Sequence, residues 1–333
     1  MKVFIKGISY YLPEKVLTNE DLFKEFPEWT VEKVASKTGI SQRHIAAENE
    51  TAADMAFAAG SKLIKEYNID KTSIDFILLC TQSPDYFLPT SACLLQERLG
   101  LRTNIGALDF NQGCSGFIYG LSLAKGLICG GLANNILLIT SETYSKYLHP
   151  KDKSNRTIFG DAAAATLISG DGFANIMDFS LGTDGRGARN LIVETGGLRC
   201  TNSRNIVKFD EGGNPVSPDH LFMNGTEIFN FTLETVPLLM QEILSKNILV
   251  QEQIDIFVLH QANKFMMEFL RKKLKISPEK FYYFIENVGN TVSSTIPIAL
   301  KEGMLDGSIT PGKKVLVAGF GVGYSWGGTV LQF

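Results

Sequence analysis

Residues 105–126 read IGALDFNQGCSGFIYGLSLAKG, and residues 281–303 read FYYFIENVGNTVSSTIPIALKEG. In each, a short apolar run gives way to a polar, glycine-bearing turn and then to a second apolar stretch. That order spells strand, turn, helix. Upstream of the first lies IDFILL at residues 74–79, and upstream of the second lies IDIFVL at residues 254–259. Downstream, Ala164–Leu167 is answered by Gly328–Leu331. Three matches in one register point to a duplicated unit.

Working outward, apolar runs predict strands at Val3–Ser9, Ile74–Thr81, Ile105–Asn111, Asn135–Thr140 and Ala162–Ser169, then at Ile254–His260, Phe281–Glu286, Lys314–Gly319 and Gly328–Phe333. Helical segments alternate with them, which makes this an α/β protein. Strands apolar almost throughout expect helices on both faces of a sheet. The expected halves are residues 1–170 and 171–333. A connection over about 171–219, rich in Gly, Asn, Asp and Arg, reads as loops with a strand or two. Thr143–Arg156, polar and basic, reads as an exposed excursion before the fifth strand.

Bulk properties narrow the function. A net charge of −3, from 32 basic and 35 acidic residues, gives no footprint of nucleic-acid binding. The opening MKVFIKG breaks its apolar run too early for a secretory signal, and no apolar stretch is long enough to span a membrane. A cytosolic protein with free thiols is expected, since the five cysteines are odd in number and form no C-x-x-C pair. The four histidines are scattered without a partner at metal-binding spacing.

Cys114 draws attention because it follows a strand, lies between glycines and opens a helix. Glycine permits the tight turn and close approach of a substrate. A helix start favours thiolate, so the thiol is expected below its free pKa of about 8.5. His260 ends an apolar strand, at the place corresponding to Cys80 in the first half. Asn290 occupies the counterpart of Cys114 itself; it reads either as a helix N-cap or as a group brought beside the cysteine by the internal two-fold relation. Residues 319–323 (GFGVG) do not suit a dinucleotide, because a strand follows them where a helix is required.

GCSGF around Cys114, HQAN from His260, and GNT from Gly289 with IPIAL from Ile296 together resemble the 3-oxoacyl-(acyl-carrier-protein) synthase III family of thiolase-like condensing enzymes. YLPEKVLTN from Tyr11, KTGI from Lys37, SPD from Ser83, FGD from Phe159 and GYSWG from Gly323 extend the resemblance along the chain. It implies a thiolase-like fold of duplicated α/β halves in an α-β-α-β-α arrangement. It also implies a homodimer that needs no metal or redox cofactor. Its substrates would be an acyl-CoA (an acyl thioester of coenzyme A) and a malonyl group on acyl carrier protein. By resemblance Cys114 carries the acyl group, while His260 and Asn290 stabilise the charge formed as malonyl loses CO2. Backbone N–H groups of Cys114 and Val322 form an oxyanion hole, Leu88 and Phe87 belong to the acyl pocket, and Arg156 contacts CoA together with Trp29, which fits the family position only with an insertion, Lys33 standing there without one. Lys264, Arg271, Lys272 and Lys273 dock the carrier.

Four positions depart from the family pattern. Val322 replaces a glycine and is expected to narrow or reshape the pocket while keeping its N–H. Leu88 replaces a bulky aromatic, and Phe265 and Asn230 stand where basic residues are usual. These changes suggest a specialised paralogue. Two other activities remain open: acyl transfer to an amine or hydroxyl without decarboxylation, and a non-catalytic dimerisation partner.

Overall fold

A computed structural model describes residues 1–333. The chain begins with β1 (Phe4–Tyr11), then a small ladder of β2 (Lys15–Thr18) and β3 (Gln42–Ile45) around α1 (Asn19–Glu25) and α2 (Val31–Thr38). There follow α3 (Ala52–Glu66), β4 (Phe76–Cys80), α4 (Ser91–Arg98), β5 (Gly106–Phe110), α5 (Gly116–Cys129), β6 (Asn135–Glu142) and β7 (Ala162–Ser169). The connection holds β8 (Ala174–Ile176), β9 (Ser180–Thr183), β10 (Leu191–Ile192), β11 (Lys208–Phe209), β12 (Pro215–Val216) and β13 (Phe222–Met223). Last come α6 (Gly225–Lys246), β14 (Ile256–Leu259), α7 (Lys264–Lys273), α8 (Thr295–Leu305), β15 (Lys314–Gly321) and β16 (Ser325–Gln332).

Pairing repeats from one half to the other. β4 lies parallel between β5 and β6, and β6, β7 and β1 continue antiparallel. Likewise β14 is parallel to β15, and β15 is antiparallel to β16, which pairs antiparallel with β8 and β9. A ladder between β1 and β8 joins the two sets into one ten-stranded sheet.

Five layers result. α3 and α4 cover the outer face of the first set, and α6 and α7 that of the second. α5 and α8 lie between them, touching strands of both sets. The central helices are apolar nearly all round, as burial on every side demands. Phe117, Ile118, Leu121, Ile296, Ala299 and Leu300 join Leu78, Val258 and Val317 in this inner core. Gly120 allows the close approach: a Cβ there would lie 2.5 Å from Leu138 Cδ1. No helix is long and apolar enough to cross a membrane.

Two expectations need correction. Phe281–Glu286 is not a strand. Only Phe281 bridges Phe257, after which the Gln261 side chain takes over the pairing: its Oε1 accepts from Phe284 N (3.0 Å) and its Nε2 donates to Leu259 O (2.6 Å). Nor is Thr143–Arg156 an exposed excursion. Tyr144, Leu148, Asp152 and Asn155 are buried. Tyr144 packs on Phe159 with ring centroids 5.3 Å apart, and Asp152 accepts from the backbone N–H groups of Ser154 and Asn155.

Candidate active site

Cys114 sits in the turn between β5 and α5, one residue before Ser115, the N-cap of α5. It is buried, and β15 closes over it. A Cβ on Gly321 would lie 2.9 Å from Cys114 Sγ, and one on Gly319 would lie 2.6 Å from the Cys114 carbonyl oxygen. Those glycines serve this approach, a role the sequence shows only as a glycine-rich end to a strand. Burial pushes the thiol up to about 12, against the backbone N–H groups of Val322 and Cys114 that favour thiolate; Glu142 nearby adds to the rise. The expected depressed pKa is therefore overturned. Loss of water around the sulfur outweighs the helix start.

His260 follows β14 directly and is also buried. Its Nδ1 lies 2.8 Å from Thr295 Oγ1, which donates in turn to the Val292 carbonyl at 3.1 Å. Burial holds the imidazole neutral, its pKa lowered to about 3 although the Val292 backbone works the other way. Asn290 is not a helix cap, since Ser294 caps α8. Its Oδ1 accepts from Val292 N at 2.9 Å, which leaves Nδ2 as the free donor. Val292 thus serves both side chains, one through its N–H and the other through its carbonyl. It does so at φ +55, a backbone region that costs a β-branched residue about 1–3 kcal/mol. Neither Val292 nor Thr295 is conspicuous in the sequence, because an apolar residue and a threonine near a helix start are ordinary there.

Cys114, His260 and Asn290 line one cavity of about 470 Å³. Its wall is mostly apolar, with Ile158, Phe159, Met223, Ile228, Met266 and Phe320 prominent. At its rim Phe229, Phe265 and Phe269 form a cluster with centroids 4.8–6.2 Å apart. A thiol, a neutral imidazole and a carboxamide donor lining one mostly apolar space suit acyl transfer with charge forming on a carbonyl oxygen.

Residues 108–185 match the family model for 3-oxoacyl-[acyl-carrier-protein (ACP)] synthase III, and residues 244–333 match the C-terminal model of that enzyme. The chain is 35% identical over 334 residues to the beta-ketoacyl-[acyl-carrier-protein] synthase III of Campylobacter jejuni, covering 100% of this chain and 98% of the relative. The chain belongs to the 3-oxoacyl-[acyl-carrier-protein] synthase III family. It is also 37% identical to beta-ketoacyl-[acyl-carrier-protein] synthase III 2 of Halalkalibacterium halodurans, over 100% of this chain and 97% of the relative. A crystal structure of a 3-oxoacyl-(acyl-carrier-protein) synthase III, 50% identical, superposes with a TM-score of 0.97 over 100% of both chains. Another, of the 3-oxoacyl-(acyl-carrier protein) synthase from Burkholderia xenovorans LB400, is 36% identical, with a TM-score of 0.91 over 100% of this chain and 94% of that one.

The remaining residues expected from the synthase III resemblance are spread more widely. Val322 does not line the cavity: its Cγ1 would be 2.4 Å from a Cβ on Gly113, so the methyl rests on that bare glycine and the expected narrowing does not occur. Phe87 and Leu88 stand outside the chain's own cavity, 84% and 82% exposed. Arg156 pairs with Glu25 (2.6 Å), bonds the Pro150 carbonyl and lies over the Phe26 ring. Trp29 has Lys33 and Lys37 over its ring. Neither Arg156 nor Trp29 lines the cavity. On α7, Arg271 is bound to Glu268 (2.8 Å) and to the Ile276 carbonyl. Lys264, Lys272 and Lys273 are exposed.

Proposed function

We propose that this protein joins an acyl group held on Cys114 to a malonyl group on a carrier, releasing CO2 and forming a 3-oxoacyl thioester. The observation that carries the reading is the single apolar cavity lined by Cys114, His260 and Asn290. In the first half-reaction the sulfur attacks the acyl-CoA carbonyl. The thiol proton leaves as the sulfur attacks and ends on the departing CoA sulfur, so CoA leaves as a thiol. The backbone N–H groups of Cys114 and Val322, both reaching toward Sγ, hold the tetrahedral oxyanion. In the second, malonyl thioester loses CO2 while His260 and Asn290 donate to its carbonyl oxygen, and the new carbanion attacks the acyl-Cys114 carbon, expelling the Cys114 thiolate, which takes up one proton from solvent. No cofactor takes part.

Acyl carrier protein docks beside α7 through Lys264, Lys272 and Lys273, with Arg271 holding the helix end. Arg156 and Trp29 meet the CoA adenine once Arg156 leaves Glu25. The enzyme acts as a cytosolic homodimer in which Phe87 and Leu88 reach the partner's acyl site. Each subunit is built from equivalent halves, residues 1–170 and 171–333. The uncharged residues Phe265 and Asn230, together with Leu88, support a specialised role beside a housekeeping initiator.

Intact-protein mass spectrometry after incubation with a panel of acyl-CoA thioesters tests the first step, and CO2 release from malonyl carrier tests the second. A primer mass added at Cys114 followed by CO2 release is expected. Acylation without CO2 release would replace condensation by transfer to an amine or hydroxyl, and no acylation at all would leave a dimerisation partner. Acetyl-CoA priming at rates normal for chain initiation would defeat the specialised role.

A further inference from the structure

The two N–H groups that serve the oxyanion come from opposite halves of the chain. Cys114 N–H belongs to the turn before α5, and Val322 N–H to the turn between β15 and β16. Neither meets a backbone carbonyl, and both favour the Cys114 thiolate. A hole built this way works only while the two turns keep one spacing, because a hydrogen bond weakens steeply off its line. Backbone pairing fixes only part of that spacing. The β15–β16 ladder ends at Gly321 and Ser325, so the three residues between them lie outside it. Tyr324 is tied to Asp184 through its N–H (2.7 Å) and its carbonyl (2.9 Å), but the backbone of Val322 has no such tie.

Side chains supply one. Ser115 stands at the N-cap of α5, where a serine hydroxyl ordinarily accepts from the first N–H groups of the helix. Here it makes no such bond. It meets Ser325 Oγ instead, at 2.6 Å and 210 residues away in the chain. Ser325 Oγ lies in turn 2.9 Å from the Val322 carbonyl and 3.1 Å from Gln112 Oε1. Both serines are buried, and neither lines the cavity. Counting protons gives the direction: Ser115 has only Ser325 as a partner and donates to it, while Ser325 passes its own proton to the Val322 carbonyl or to Gln112. Gly321, on one side of Val322, is held by the ladder; the carbonyl on the other side is held by Ser325. We infer that Ser115 and Ser325 form a clamp between the two halves that keeps Val322 N–H aimed at the same point as Cys114 N–H. They are positioning residues, acting on the reaction through those two donors. What the hole does for a thioester rests on the reaction proposed above, whereas the clamp itself can be read on the unacylated thiol.

Ser325→Ala removes the hold on Val322, and Ser115→Ala removes the bridge to Cys114. Turning Val322 N–H away takes a hydrogen bond from the thiolate, so alkylation of Cys114 by iodoacetamide at about pH 8 should slow by about threefold or more in Ser325→Ala. Merely loosened packing acts the other way: water admitted around a buried sulfur favours thiolate and speeds alkylation. Loading of Cys114 by acyl-CoA, followed by intact mass, should slow by about tenfold, short of the roughly 10²–10³ lost when an oxyanion donor is removed outright. Ser115→Ala should show both losses in smaller measure. Because the serines act as one unit, the double variant should lose no more than Ser325→Ala alone, where independent effects would multiply. Alkylation as fast as wild type or faster in both single variants, unchanged loading, or losses that multiply in the double variant would each overturn the inference. Wild-type protein that takes up no acyl group would instead sink the thioester reading, and the alkylation rates would still decide the clamp.

Discussion

The Cys114 thiol sits where burial resists its ionisation, so the attack proposed for it requires the proton to leave as the new bond forms. With the thiol at about 12, the thiolate fraction near neutral pH is small and grows about tenfold per pH unit until that value is reached. Alkylation of the free enzyme by iodoacetamide should therefore keep accelerating from pH 7 to pH 10; a plateau near pH 8 would contradict the buried environment. Asn290 offers a cleaner separation. Asn290→Ala should slow malonyl decarboxylation by about 10²–10³, worth about 3–4 kcal/mol, and leave loading of Cys114 nearly intact. His260 carries a stability signature as well. Its pKa is about 3 folded against 6.5 free, so the unfolded chain takes up the proton first. The contribution is whole above pH 6.5 and is lost as pH falls through about 3. Urea midpoints of wild type and His260→Gln should accordingly converge as the pH drops through that window.

At the scale of elements, β6 and α7 each put a charged group to a different use from the one its exposure-blind sequence suggests. Glu142, at the end of β6, accepts from Gln82 N and from the hydroxyl of Ser83, yet burial raises it to about 8 from 4.5. Its contribution to stability is whole below pH 4.5 and is lost as pH rises through about 8, opposite in sign to that of His260. Glu142→Gln should therefore gain on wild type as the pH climbs from 5 to 9, read from thermal midpoints. On α7 the neighbouring cations separate by role. Lys272→Glu with Lys273→Glu should raise KM for the carrier, in a salt-dependent way, with kcat unchanged. Arg271→Ala should cost about 1 kcal/mol of stability and leave carrier KM alone, because the guanidinium serves Glu268 and the Ile276 carbonyl.

At the scale of the whole molecule, one run of consecutive apolar residues is left uncovered. Tyr86, Phe87 and Leu88 are 61%, 84% and 82% exposed, and β5 ends the sheet with Leu108 half exposed. An exposed apolar run and a free strand edge are both costly in water, and cover by a second copy of the chain would relieve them. Sedimentation should give twice the chain mass, and Phe87→Asp with Leu88→Asp should shift it to the single chain while far-ultraviolet circular dichroism is retained.

Much of the architecture could be read along the chain. The paired strand–turn–helix runs at Cys114 and Asn290, and the family they resemble, rest on local patterns of apolar residues and glycines, which survive in one dimension. Where neighbours in space decide, the reading failed. Phe281–Glu286 has the apolar character of a strand, but Gln261 occupies its ladder. Val322 lost its apparent effect on the cavity because Gly113, far off in sequence, gives its methyl a seat. The Cys114 thiol was placed on the wrong side of its free pKa, since burial by β15 is invisible from the turn it sits in. Thr295 became meaningful only when folding set its hydroxyl between a carbonyl and an imidazole. The order of strands, turns and helices is written locally because backbone preference and apolar spacing act over a few residues. Proton affinity, accessibility and the partners of each donor depend on distance and desolvation, and those exist only once the chain has folded.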